Sequence, residues 1–320
     1  MKVIQYKNLL IHMLAFGAGA RTIKELDHIA SRAATLGASG LELLFHPMPV
    51  LPPDRVAKVF KRHGLRKASL CLFFPQDLSC GDPTSVEEGS NAVKHVRRAV
   101  EYVCRLRDEG IKINVIDGPL NIVLGRGAQE YTSLAVINTA IFSRSLSVAV
   151  GEMLGITFCS EVLQRSEDGL IRTSARMGQL VTAVASSAFK MHLDTFHTVK
   201  NGERLGEVIK RFGPHIGHLH LNGIGKDRAR EGRIPCGCRD FEIDGRRYTD
   251  TIDWKRVRHQ LSAAQVDLNK VLVCLEPFHE KACQAIPPLR EGVVPVTNDW
   301  QILESVDNLA AAGILQRSRT

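Results

Sequence analysis

Four ionisable residues stand at or near the ends of apolar runs in the second half of the chain. They are Glu161, Asp194, His220 and Glu276. Any one of them alone is explained as a helix cap, a salt-bridge partner or a hydrogen-bonded core residue. If the four runs are neighbouring strands, the side chains meet at one edge, where the carboxylates repel each other and are costly to desolvate. A divalent cation removes both costs, and three carboxylates with one imidazole favour Mn²⁺, Mg²⁺ or Co²⁺ over zinc.

The elements that must position these residues alternate regularly along the chain. Eight short apolar runs predict strands at 9–16, 40–45, 67–73, 112–118, 155–163, 189–196, 216–223 and 270–278. Amphipathic segments predict helices at 22–36, 53–63, 85–109, 129–153, 173–187, 203–212, 253–264 and 298–312. Two of these helices begin with a capping-box pattern, Thr22-x-x-Glu25 and Ser85-x-x-Glu88.

This alternation predicts an α/β fold, a single (β/α)8 TIM barrel over residues 1–320. Strands that are apolar almost throughout are typical of a parallel sheet covered by helices. An open doubly wound sheet is the weaker alternative, because no G-x-G-x-x-G turn follows the first strand. Active sites of TIM barrels lie at the C-terminal ends of the strands, which is where the four ionisable residues fall.

One segment breaks the alternation. Residues 222–253 contain no apolar run and are long for the loop after strand 7, which predicts an inserted loop there. Within it, the sequence alternates around Asp244-Gly245 and predicts a short hairpin.

Composition excludes several classes of protein. The 320 residues are 44% hydrophobic and 24% charged, as in an ordinary globular protein. The net charge of +8 would suit nucleic acid, but basic and acidic residues interleave along the helical segments, so we predict no nucleic-acid partner. The N-terminal stretch is too short for a membrane span and too polar for a signal peptide. The eight cysteines, several of them within apolar runs, predict reduced thiols and a cytoplasmic protein.

Five motifs resemble those of the ketose 3-epimerases, the D-tagatose and D-psicose (allulose) 3-epimerase group of xylose-isomerase-like barrels. The motifs are "DGPL" (117–120), "SEVLQRSE" (160–167), "LDTFH" (193–197), "GHLHLNG" (217–223) and "LEPF" (275–278). The resemblance implies one divalent metal ion held by the four residues named above. Mn²⁺ is the leading choice of ion, and Co²⁺ and Mg²⁺ are the alternatives. It also implies that Glu161 and Glu276 form the catalytic pair. One glutamate removes a proton from C3 of the sugar to give a cis-enediolate, and the other returns a proton on the opposite face.

The resemblance extends to a sugar substrate and to a homo-oligomer, a dimer or tetramer. Glu167 and His197 are implied as contacts to substrate oxygens. After the strand-7 histidine, the family has a "GExNR"-like run whose Arg contacts the sugar, whereas this chain has "NGIGKDR". Lys226 stands at the position of that Arg, and Arg228 is the residue that could substitute for it after a shift of the loop.

Other reactions begin with the same proton abstraction. A lyase acting on a 3-keto-glycoside and a dehydratase acting on a keto-polyol would use the same metal site. An endonuclease IV-like DNA-repair enzyme would need a cluster of metals, and strands 3 and 4 end without histidine while Ala229 stands where another ligand would be required. The sequence therefore predicts that no multi-metal cluster assembles. A barrel that only binds sugar would not need two glutamates.

Overall fold

Eight parallel strands close into a barrel in the computed structural model of the chain. The structure describes residues 4–16, 19–45, 50–75, 89–120, 123–124, 133–163, 171–225, 233–243, 246–276 and 299–318. The strands are β1 (Leu9–His12), β2 (Gly40–Phe45), β3 (Lys67–Leu72), β4 (Lys112–Gly118), β5 (Thr157–Glu161), β6 (Phe189–Asp194), β7 (Ile216–Leu221) and β8 (Leu272–Leu275). Each pairs with the next along the chain, and β8 pairs with β1 through Leu9 and Val273. The predicted barrel is confirmed.

Within the described residues, eight helices of eight or more residues alternate with the strands. They are α1 (Ile23–Thr35), α2 (Pro53–Arg62), α3 (Gly89–Asp108), α4 (Ser133–Leu146), α5 (Ser174–Val184), α6 (Leu205–Phe212), α7 (Trp254–Ala263) and α8 (Asp299–Ala311). The first predicted capping box is confirmed, because the Thr22 side chain accepts the Glu25 N–H and the Glu25 side chain accepts the Thr22 N–H. The second predicted box, at Ser85 and Glu88, lies outside the described residues. No described helix is both long and apolar enough to cross a membrane.

Several element boundaries shift by a few residues from the prediction, and three differences change the local structure. Strand β1 ends at His12, because the Leu14 N–H donates to His12 Nδ1 and a 3-10 turn follows over Met13–Phe16. Strand β6 ends at Asp194, where a short helix, Thr195–Lys200, begins. Helix α4 is continued by a π-helical turn, Ser147–Gly151, and then by Glu152–Leu154.

The main apolar core lies between the barrel strands and the helices. Inward-facing side chains of α1 and α2, such as Leu26, Ile29 and Phe60, are fully buried against it. Burial of each such side chain contributes about 1.5–3 kcal/mol. The barrel is therefore stabilised from outside, and its interior can hold polar side chains.

In the predicted inserted segment, residues 222–253, the described residues form two antiparallel pairs after β7. Gly223–Ile224 pairs antiparallel with Arg233–Ile234, and Phe241–Ile243 pairs with Arg246–Tyr248 at the place where the sequence predicts a hairpin. The Cys236 N–H donates to Ser305 Oγ at 2.9 Å, which attaches the segment to α8.

Asp250 holds the two ends of this segment together. One carboxylate oxygen accepts the N–H groups of Ile224 (2.8 Å) and Ile252 (3.0 Å). The other accepts the Gly237 N–H and the Trp254 indole N–H, both at 2.6 Å. A Cβ atom at Gly223 would lie 2.4 Å from the carbonyl oxygen of Pro235, so this close approach requires glycine.

We expect D250A to lower the free energy of unfolding by about 2–4 kcal/mol, because four donors lose their acceptor. Denaturant unfolding of D250A and of the surface control D240A measures this, since Asp240 is exposed on the same segment. Equal stability of the two variants would show that Asp250 does not anchor the segment.

Candidate active site

The four residues singled out in the sequence come together at the C-terminal rim of the barrel. Nδ1 of His220 lies 3.2 Å from Glu276 Oε2, 3.8 Å from Glu161 Oε1 and 3.9 Å from Asp194 Oδ2. All four side chains are buried. Nδ1 of His220 and Oε2 of Glu276 make no hydrogen bond of good geometry to any described residue.

Asp194 is oriented by the helix that follows it. Its Oδ1 accepts the N–H groups of Phe196 (2.5 Å) and His197 (3.1 Å), as an N-cap residue does. The other oxygen, Oδ2, is thereby directed toward His220. Because the strand ends here, the prediction of a strand to residue 196 is wrong, and His197 lies on the short helix.

Glu42 orients His220 from the barrel interior. Its Oε1 lies 2.6 Å from His220 Nε2, and its Oε2 accepts from His218 Nε2 (2.7 Å) and Ser69 Oγ (2.5 Å). Burial raises the pKa of Glu42, but the neighbouring His220 and His218 outweigh burial, and the pKa lies well below its ordinary value. Burial lowers the pKa of His220, but Glu42 and Glu276 outweigh burial and raise it well above its ordinary value. An ionised Glu42 accepts the Nε2 proton, so a cation that displaces the other ring proton meets Nδ1 as the ligand atom.

The three rim carboxylates differ in pKa. Burial, reinforced by Asp194 and Glu276, raises the pKa of Glu161 well above its ordinary value. Burial raises the pKa of Asp194 to about 6, although Arg233 acts in the opposite direction. Burial also acts on Glu276, but Arg233 and His220 outweigh it and lower its pKa. Glu161 and Glu276 are thus biased toward opposite protonation states.

Below the rim, the barrel interior holds further polar side chains that sequence reasoning missed. His218 Nε2 lies 3.8 Å from Asp117 Oδ2, and His192 Nδ1 lies 4.0 Å from Asp117 Oδ1. No described residue donates a well-formed hydrogen bond to either oxygen of Asp117. The spacing carried a signal, because His192 and His218 precede Asp194 and His220 by two residues, and side chains two apart share a face of a strand.

These interior residues bear on the prediction that no multi-metal cluster assembles. Besides the rim set, three groups of described residues bring possible metal-ligand atoms within 4.8 Å of one another: Glu42, His218, His220 and Cys274; His12, Glu42 and Cys71; and Asp117, His192 and His220. Two of these groups share His220 with the rim and so compete with it for one imidazole. That no multi-metal cluster assembles stays a prediction.

Arg233 is a further residue that sequence reasoning missed, and it lies on the inserted segment. Its Nη2 lies 3.1 Å from His197 Nε2, 3.2 Å from Glu276 Oε2 and 3.5 Å from Asp194 Oδ2. Its guanidinium carbon lies 4.4 Å from the centroid of the Phe196 ring. The inserted segment carries six arginines, and no pattern distinguishes Arg233 among them.

The predicted substrate contacts are described only in part. His197 is buried, and its Nε2 lies 3.8 Å from Glu161 Oε1. Burial and Arg233 lower the pKa of His197 well below its ordinary value, so its Nε2 accepts from the guanidinium. Glu167, Lys226 and Arg228 lie outside the described residues and stay predictions.

The rim residues fit a divalent cation. The ligand atoms of Glu161, Asp194 and His220 lie within 4.8 Å of one another. Together with Glu276 they form the oxygen-rich donor set with one nitrogen that suits Mn²⁺, Mg²⁺ or Co²⁺. Among the described residues, none makes a hydrogen bond of good geometry to Nδ1 of His220, and this is the atom such an ion would satisfy.

Comparisons with known proteins agree with the fold. The family model described as xylose isomerase-like TIM barrel matches residues 30–294. The D-psicose 3-epimerase of Ruminiclostridium cellulolyticum is 37% identical over 86 residues, which are 27% of this chain and 29% of that protein. The alignment thus spans less than a third of this curated relative.

Two solved structures match almost the whole chain. D-allulose 3-epimerase from Methylomonas sp. superposes with a TM-score of 0.73 at 16% identity, covering 98% of this chain and 100% of that chain. D-psicose 3-epimerase from Clostridium cellulolyticum H10, solved with D-tagatose, gives 0.70 at 19% identity, with coverages of 97% and 100%. At these identities the structural matches establish the fold.

We expect E42Q to weaken Mn²⁺ binding about 10–100-fold, because the amide no longer holds His220 as the ionised carboxylate does. Calorimetric titration of the metal-stripped protein measures the dissociation constant, and circular dichroism checks the fold. The control is E207Q on the exposed side of α6. If E42Q and E207Q bind Mn²⁺ equally, Glu42 does not orient the ligand.

Metal binding is expected to release protons. The pKa of Asp194 is about 6, and those of Glu161 and His220 are also raised, so a cation must displace protons that these groups hold. Affinity then falls as the pH drops through about 6, roughly tenfold per pH unit for each displaced proton. Titration at one pH in two buffers of different ionisation enthalpy counts these protons, and identical heats in both buffers would contradict the expectation.

Proposed function

Because the chain belongs to the xylose isomerase-like TIM barrel family, we propose that it is a metal-dependent sugar epimerase that inverts C3 of a ketose or keto-sugar. The observation that carries this proposal is the meeting of Glu161 and Glu276 at the Nδ1 atom of His220. Glu161 is the last residue of β5 and Glu276 directly follows β8, and two other strands separate β5 from β8. Inversion needs one carboxylate on each face of the reacting carbon, and this arrangement supplies two.

Each rim residue has a distinct part in the proposed reaction. Asp194 and His220, with the two glutamates, would hold the ion. When bound, a divalent cation polarises the carbonyl and adjacent hydroxyl of the sugar and so acidifies the C3 hydrogen. Mn²⁺ is the ion we propose, since the donor set is rich in oxygen.

The two glutamates would carry the proton transfers. Glu276, held ionised by Arg233 and His220, accepts the proton from C3. Glu161, whose pKa is raised by burial, delivers a proton to the opposite face of the cis-enediolate. One proton leaves and one returns, and the reverse reaction exchanges the two roles. His197, and Glu167 as the resemblance implies, would contact substrate oxygens.

Deuterium exchange tests this reaction. Metal-stripped protein is reloaded with Mn²⁺, Co²⁺ or Mg²⁺ and incubated in D₂O with fructose, tagatose or a 3-keto-glycoside. NMR follows the C–H next to the carbonyl, which is at C3 of the two ketoses and at C2 or C4 of the 3-keto-glycoside. We expect metal-dependent deuterium at C3 together with the C3 epimer. Loss of an aglycone or of water would instead assign a lyase or dehydratase. No exchange with any ion and sugar would refute the epimerase proposal for this panel.

We expect E161Q and E276Q each to lower kcat for C3 exchange at least about a thousandfold, because one proton transfer loses its carboxylate. The control E207Q should keep the parent rate. If either E161Q or E276Q kept the wild-type kcat, the two-carboxylate mechanism would be ruled out. The remaining implications of the resemblance, Lys226 and Arg228 as sugar contacts and a dimer or tetramer, stay predictions.

A further inference from the structure

The inserted segment places a buried cation beside the rim carboxylates. Arg233 lies on the short strand Arg233–Ile234. This strand pairs with Gly223–Ile224, which lies just after the end of β7. We propose that Arg233 binds an oxygen of the sugar next to the reacting carbon and stabilises the negative charge that develops on it. The inserted segment would thus help decide which ketose is accepted. This inference rests on the proposed function and deepens it.

The first argument is the cost of burying the guanidinium. Arg233 is 8% exposed, and a buried cation requires anions close by. Asp194 and Glu276 supply them, at 3.5 and 3.2 Å. Both carboxylates also belong to the proposed metal set. Once they share their charge with a dication, the guanidinium can serve another anionic oxygen, and the enediolate oxygen is the anion that the proposed reaction creates there.

The second argument is that the guanidinium is held in place before a ligand arrives. It stacks on the Phe196 ring, and its Nη2 donates to His197 Nε2. Both partners lie on the short helix capped by Asp194. Donors fixed in advance stabilise a developing charge without the cost of reorganisation.

The third argument is chemical. A guanidinium presents a planar fork of donors that can bind two oxygens at once, whereas a lysine offers a single point charge. Arg233 remains protonated and exchanges no proton with the substrate in this role, so the proton balance of the two glutamates is unchanged.

The test uses a ligand that does not depend on turnover. Glycolohydroxamate carries two adjacent oxygens on a planar anion and resembles an enediolate. Its dissociation constant is measured by calorimetry on Mn²⁺-loaded wild type, R233M and R233K, and on R247M as the control, since Arg247 is exposed on the same segment. Mn²⁺ affinity is measured separately for each variant.

We expect R233M to bind the hydroxamate about a hundredfold more weakly, in line with the loss of one oxyanion donor, and R233K to recover part of this loss. R247M should stay within about threefold of wild type in both hydroxamate and Mn²⁺ binding, well below the effect expected for a lost donor. The hydroxamate is titrated at Mn²⁺ saturation for every variant. On an accepted ketose, R233M should lower kcat more than it raises KM.

Several outcomes would overturn the inference. They are equal hydroxamate binding by wild type and R233M, no hydroxamate binding by wild type, and a parallel loss of Mn²⁺ affinity, which would make Arg233 only a structural counter-charge. The proposed function fails separately. If wild type binds the hydroxamate through Arg233 but exchanges no C3 proton, the epimerase assignment falls and the role of Arg233 stands.

Discussion

The rim of the barrel depends on one hydrogen bond made inside it, between His220 Nε2 and Glu42 Oε1. Strands β7 and β2 are not neighbours in the barrel, so this bond crosses the interior. It fixes the imidazole with Nδ1 directed at Glu161, Asp194 and Glu276. The curvature that closes the barrel therefore also positions a ligand atom.

This arrangement places charge where TIM barrels usually place branched apolar side chains. The buried carboxylates of the interior and rim are Glu42, Asp117, Glu161, Asp194 and Glu276. Their desolvation is offset in part by the histidines of β6 and β7 and by Arg233. The apolar core between strands and helices must provide the net stability, because a buried ionic cluster seldom does so by itself. The interior is thus organised for chemistry at some expense of stability.

The architecture could be predicted from sequence because it rests on local patterns. Continuous apolar runs located all eight barrel strands, and a capping box located the start of α1. The ends of the strands could not be predicted from apolar runs alone. Strand β6, for example, ends where the Asp194 side chain caps the next helix. Patterns along one strand cannot show which residue lies across the barrel.

The missed residues follow from that limit. Glu42 is one carboxylate within an apolar strand, and its importance appears only when His218 and His220 arrive from the far side. Arg233 belongs to an insertion rich in arginine, and only the folded path of the chain brings it to Glu276. The rim set itself was accessible to sequence reasoning because its members share a position relative to their strands.

The attachment of the inserted segment has a consequence for how such a protein can diversify. Arg233 reaches Glu276 at the rim, and the other described attachments of the segment include Ser305 on the last helix and its own Asp250. Changes elsewhere in the segment can therefore alter its surface while Arg233 keeps its place beside Glu276 and the strands keep the backbone positions of the rim residues. Under the proposed function, a library confined to residues 222–253 that retains Arg233 would explore new sugars on an unaltered barrel.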